Sequence, residues 1–97
     1  MKQITREIDQ TLLIGDSIAI SPTDIDRHGV RLAVRGRHIG GPHDGETFTT
    51  AQELGKGASM KLGPLVTIVV VELFEDAVRL GVLAPPTMPV RRKETGK

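Results

Sequence analysis

The sequence predicts an all-β protein, and three observations carry that expectation. Its large apolar residues are Ile, Leu and Val with only Phe48 and Phe74 as aromatics, and the β-branched members of that set fit a pleated sheet. Several short runs alternate apolar and polar residues with the period of two that a half-buried strand requires. No stretch sustains a 3.6-residue apolar period with capping residues, so no helix is expected.

In chain order, the pattern predicts strands near 1–6, 11–21, 28–34, 47–52, 58–62, 65–74, 77–82 and 87–92. Ile18 and Ile20 alternate on one face of the second, and Val30, Leu32 and Val34 on one face of the third. Pro22-Thr23-Asp24 and Asp26-Arg27-His28-Gly29 supply turn chemistry between those two, which predicts a hairpin. The segment Arg35 to Gly45 holds four glycines and a proline and reads as a loop or a broken edge. Leu65 to Phe74 is apolar on both faces for most of its length, as expected of a central strand covered from two sides. Ala84 to Glu94 opens with prolines and ends in a short edge strand.

The chain repeats itself. Ile14-Gly15 recurs as Leu62-Gly63 and Val30-Arg31-Leu32-Ala33-Val34 as Val78-Arg79-Leu80-Gly81-Val82, both 48 residues on, and Ile18, Ile20, Asp24 and Ile25 align with Val66, Ile68, Glu72 and Leu73. Upstream, Ile8-Asp9 aligns with Leu54-Gly55 at an offset of 46, which implies two extra residues in the second copy. The copies span 1–46 and 47–97 and are expected to form one compact body, because units under about 50 residues have too little interior to stand alone.

Composition narrows the function. The chain has no cysteine, which excludes disulfides, thiolate metal sites and a cysteine nucleophile. Its N-terminus, Met-Lys-Gln-Ile-Thr-Arg-Glu, lacks the apolar run of a signal peptide, and no stretch is long enough to cross a membrane as a helix, so a cytoplasmic protein is expected. The net charge is only +1, but Arg91, Arg92, Lys93 and Lys97 crowd at one end, and clustered charge is what attracts phosphate. His28, His38 and His43 with Asp44 match no compact metal-ligand spacing, and Asp24 and Asp26 read as turn residues, so neither metal nor cofactor is expected. No nucleophile, base and acid occur in a recognisable context, and the sequence does not read as an enzyme.

Thr11-Leu12-Leu13-Ile14-Gly15-Asp16, the alternating strand after it and Val30-Arg31-Leu32-Ala33-Val34 together resemble the core signature of the carbon storage regulator (CsrA/RsmA) family. The second half repeats it as Leu62-Gly63, Val78 to Val82, Ala84-Pro85 and Val90-Arg91-Arg92-Lys93-Glu94. The resemblance implies a pseudo-dimer of two five-stranded units sharing one core, without the family's C-terminal helices, monomeric where family members are strand-exchanged homodimers. It implies an RNA-binding regulator of translation that takes a GGA-containing loop or single strand of mRNA near a ribosome-binding site. Carried over residue by residue, the RNA-binding positions are Ile4, Thr5 and Arg6 of the first strand with Val90, Arg91, Arg92 and Lys93 of the last, which would lie side by side; Glu7 replaces a second basic residue. The opposite site, Thr50 to Glu53 with Pro42, His43 and Asp44, has lost both family arginines, so one working site is expected. Arg31 and Arg79 point outward and read as a solvated face. The alternative is a protein-binding decoy or scaffold that has lost RNA binding and pairs partners through its edge strands.

Overall fold

The computed structural model describes residues 1–37, 42, 44–63 and 65–93. They form nine strands and no helix: β1 (Lys2–Glu7), β2 (Thr11–Ile14), β3 (Ile18–Asp26), β4 (Gly29–Arg37), β5 (Thr47–Leu54), β6 (Ser59–Leu62), β7 (Val66–Leu73), β8 (Ala77–Leu83) and β9 (Val90–Lys93). The all-β expectation holds. The strands build two antiparallel sheets, one in the order β5-β4-β3-β2-β9 and one in the order β1-β8-β7-β6. Each sheet draws on both halves of the chain, since β1 pairs with β8 while β5 and β9 flank β2 to β4.

Alternation decides which side chains meet between the sheets. Leu12, Ile14, Ile18, Ile20, Val30, Leu32 and Val34 from the five-stranded sheet join Ile4, Val66, Ile68, Val70, Val78, Leu80 and Val82 from the other in one buried cluster. The radius of gyration, 12.7 Å, is that of a single body of about 100 residues, for which ~13 Å is usual.

The span 11–21 holds two strands rather than one, because Gly15 takes a positive φ of 59° and turns β2 into β3. Pro22-Thr23-Asp24 is not a turn but part of β3, where the register shifts between Pro22 and Asp24. Pro22 is fully buried and its carbonyl accepts the Asp9 amide at 2.8 Å. A bulge is where a sheet tolerates proline, and the extra residue inverts the alternation so that Ile25 points inward. The turn at Asp26 to Gly29 forms as expected, with Asp26 Oδ1 accepting the His28 amide at 2.7 Å and the Gly29 amide at 3.0 Å. Arg35, Gly36 and Arg37, read as loop, extend β4 against Phe48 and its neighbours in β5. β7 is interior to its sheet, yet only one face is covered: Val66, Ile68 and Val70 are buried while Val69 and Val71 stay half-exposed.

Among the described residues the pairing repeats at 48 residues, first strands included, except that the pairing of β2 with β9 has no counterpart at β6. Leu12↔Ile20 and Ile20↔Val34 correspond to Met60↔Ile68 and Ile68↔Val82, and the register shift at Pro22/Asp24 corresponds to that at Val70/Glu72. Asp9 and Gly57 both take positive φ, and their amides donate to Pro22 O and Val70 O, each at 2.8 Å. Arg6↔Val78 corresponds to Leu54↔Val30. The offset of 46 inferred upstream is therefore replaced by 48, with no two-residue insertion, and the counterpart of Arg6 is Leu54 rather than Gln52.

Candidate nucleic-acid interface

β1 and β9 are edge strands of different sheets, so they are not hydrogen-bonded to each other. One strand separates them. β9 pairs with β2 in the register Thr11↔Lys93, Leu12↔Arg92, Leu13↔Arg91 and Ile14↔Val90. From β1, the Arg6 side chain reaches that same strand, its Nη1 donating to Thr11 O at 3.2 Å and its Nε to Thr5 O at 3.0 Å.

Pleating then separates the seven expected RNA-contact residues by exposure. Ile4 and Arg6 share the inward face of β1 and are buried, 5% and 8% exposed, whereas Thr5 is half-buried on the outer face. The Arg6 guanidinium is thus held by backbone carbonyls rather than displayed to solvent, and its place in the packing is the one Leu54 fills in the other sheet. Val90 packs against the edge of the core, and Arg91, Arg92 and Lys93 are all exposed. Arg91 Nη2 lies 3.3 Å from Asp16 Oδ1, but both side chains are open to water, where such a pair is weak and readily exchanged for another anion. Beside Lys93, Thr11 shares a hydroxyl hydrogen bond with Ser21 at 3.0 Å, a neutral polar surface between the cations and the sheet.

The outer face of the five-stranded sheet adds two cations that the sequence reading assigned to a loop. Arg35 follows Arg91, Leu13 and Ala19 along one cross-strand row, and Arg37 stands two residues further along β4. Their signal was the alternation of Val34-Arg35-Gly36-Arg37, which continues that of Val30 to Val34. Arg31 stands opposite Asp24 and Glu53 in the register of the same sheet, and Arg79 stacks over the Phe74 ring at 5.4 Å.

The opposite edge is built differently. Thr50, Ala51, Gln52 and Glu53 are exposed along β5, and Pro42 and Asp44 lie in exposed turns; His43, like His38, Glu94 and Lys97, falls outside the described residues. Near the end of β5 a surface hollow of about 270 Å³ is lined by Asp24, Asp26, His28, Arg31 and Glu53. Its three carboxylates disfavour phosphate there.

The chain is thus a two-sheet β body with a cationic edge strand beside a neutral polar surface. Residues 55–97 match the model of the family described as CsrA, a global regulator protein family. The matched segment takes in β6 to β9, while β1 to β5 lie outside it. The match is a likeness to a global regulator family over that segment. No curated protein and no solved structure matched.

Proposed function

We propose that this protein is an RNA-binding post-transcriptional regulator, a tandem duplication of a CsrA-like unit that acts as a monomeric pseudo-dimer with one working RNA site. The observation that supports this most is the β9 edge: it lies inside the segment resembling the family, and its Arg91, Arg92 and Lys93 are exposed one strand away from β1. The ligand is a GGA-containing loop or single strand of mRNA near a ribosome-binding site. Unstacked bases of such a strand are read by hydrogen bonds, and its phosphates by cations. In this reading Arg92 reads a base edge, Arg91 and Lys93 neutralise phosphate, and Ile4, Thr5 and Val90 offer backbone groups. Arg6 acts as a positioning residue, holding β1 against β2 beside β9. The protein works in the cytoplasm and needs no cofactor.

Titration with a GGA hairpin and a scrambled control tests the reading, and binding should saturate at one RNA per chain. Arg92→Ala should weaken it about tenfold, since a forked arginine contact contributes roughly 1–3 kcal/mol and about 1.4 kcal/mol is a factor of ten. Lys93→Ala should reduce the salt-dependence slope by about 0.7, the value of one phosphate contact on a single strand. Asp44→Ala should change little. Arg6→Leu should lower stability by about 1–3 kcal/mol, because it removes the guanidinium's hydrogen bonds to Thr5 O and Thr11 O, and should weaken RNA binding less than Arg92→Ala does. Two equivalent RNAs per chain, or full affinity in Arg92→Ala, would refute the single site.

A further inference from the structure

The two sheets follow one register, yet they differ in a strand. β2 is paired on both sides, by β3 and by β9, whereas β6 is paired by β7 alone among the described residues. The consequence is visible beneath the edge: Leu12 and Ile14 are 0% exposed, and their equivalents Met60 and Leu62 retain 7% and 9%. Next to β2, a Cβ on Gly15 would touch Met88 at 3.6 Å, and the Gly15 amide donates to Pro89 O at 2.8 Å. Next to β6, a Cβ on Gly63 would meet nothing within 4 Å. The chain's own counterpart of β9 does not fill the gap with what is described of it, because Pro42, Asp44 and Gly45 are in exposed turns.

We propose that the β6 edge, Ser59 to Gly63, accepts an extended acidic segment of a partner protein as an antiparallel fifth strand. The pairing of β9 with β2 supplies the template. Transposed by 48 residues, it seats an apolar anchor beside Gly63, an apolar residue opposite Leu62, one residue opposite Lys61 and, where β9 has Arg92, a residue opposite Met60. The charge of the occupant follows from Lys61, which is exposed and points to the outer face. A carboxylate directly opposite it is favourable, and a cation there is not. A second copy of this chain fits poorly by the same rule. Two-fold pairing of β6 with itself in the register Met60↔Leu62 sets Lys61 against Lys61, and the β9 edge of another copy presents Arg91, Arg92 and Lys93. The backbone ladder supplies affinity in such strand addition, and the alternate side chains supply selectivity.

The test is a chemical-shift titration of the full ¹⁵N-labelled chain with a capped hexapeptide, Met-Pro-Val-Glu-Val-Thr, which keeps the first three residues of the 88–93 segment and places glutamate opposite Lys61, valine opposite Met60 and threonine opposite Ser59. A second peptide with arginine in place of glutamate is the control. Shifts should concentrate on Ser59 to Gly63 and β7, and the glutamate peptide should bind at least about threefold more tightly than the arginine one. Lys61→Glu, a surface change that leaves the core intact, should reverse the preference. The proposal is overturned by absence of saturable shifts at β6, by shifts centred on β5 or β9, or by equal affinities that Lys61→Glu does not alter. Light scattering that finds a dimer abolished by Lys61→Glu would also overturn it, by assigning the edge to a second copy. None of these outcomes depends on RNA, so RNA binding can stand or fall separately.

Discussion

The inner faces of the two sheets are nearly interchangeable, while the outer faces differ in how much positive charge they carry. Inside, Ile20, Leu32 and Val34 of one sheet stand where Ile68, Leu80 and Val82 stand in the other, all but fully buried. Outside, the five-stranded sheet carries Arg31, Arg35, Arg37, Arg91 and Lys93, and the four-stranded sheet carries Lys61 and Arg79 beside Met1, Val69 and Leu83, with Met1 lying over Gly81. Packing constrains the first set because an interior tolerates no change of volume without cost. Solvent imposes no such constraint on the second, so two sheets with one register can present a strongly cationic surface and a mixed one.

If the inner faces are equivalent, equivalent truncations should cost equally. Leu32→Ala and Leu80→Ala each empty a site with no exposure, and each should lower stability by about 2–5 kcal/mol in a single cooperative denaturant transition. A second transition, or a variant in which one sheet stays folded, would show that the two halves do not share their core.

Glycine positions sharpen the contrast. A Cβ on Gly36 would come within 2.7 Å of Ser17 O, a backbone atom that cannot yield easily, whereas at Gly81 the obstacle is the flexible end of Met1. Gly36→Ala should therefore cost about 1–3 kcal/mol by overpacking. Gly81→Ala should be neutral or stabilising by up to about 1 kcal/mol through the unfolded chain. Equal thermal shifts for the pair would contradict this difference.

The smallest effect lies on the surface of the four-stranded sheet. Lys56 Nζ sits 3.0 Å from Glu72 Oε1, and the equivalent of Lys56 in the other sheet is Ile8. Hydrogen bonding and charge from Lys56 hold the Glu72 carboxyl below its ordinary 4.5. A carboxyl with a lowered folded pKa contributes stability above the ordinary value and loses it as pH falls through the lowered one. Lys56→Met should move Glu72 upward toward 4.5 in a carboxyl NMR titration, with little change in unfolding midpoint because the group is exposed.

How much of this was legible in the sequence varied with the kind of signal. The alternation of Val30 to Val34 and Val78 to Val82 marked β4 and β8, and the Asp26 to Gly29 turn between β3 and β4 was readable from its chemistry. The bulges at Pro22/Asp24 and Val70/Glu72 were not, because a proline beside Thr and Asp has the same composition in a turn as in a bulge. Burial of Arg6 was hidden for a different reason. Nothing in Gln-Ile-Thr-Arg-Glu marks position 6 as interior; that follows from its pairing with Val78, which matches the pairing of Leu54 with Val30. Within the candidate site, the cations of β9 were read directly, while the placement of β1 and β9 in different sheets followed from a partition that no local pattern encodes.

The pairing of Lys2 to Glu7 with Ala77 to Val82 also sets a schedule for synthesis. At ~5–20 residues per second, β1 leaves the ribosome roughly 4–15 s before the strand it pairs with has been made. β5 has no such wait, since it follows its partner β4 along the chain. Contacts this distant in sequence form late, and a strand left unpaired in the meantime is open to pairing with neighbouring nascent chains. Lys2, Arg6 and Glu7 place three charges around Ile4 in that interval, which is the pattern that keeps a short β-prone window from self-association until β8 emerges.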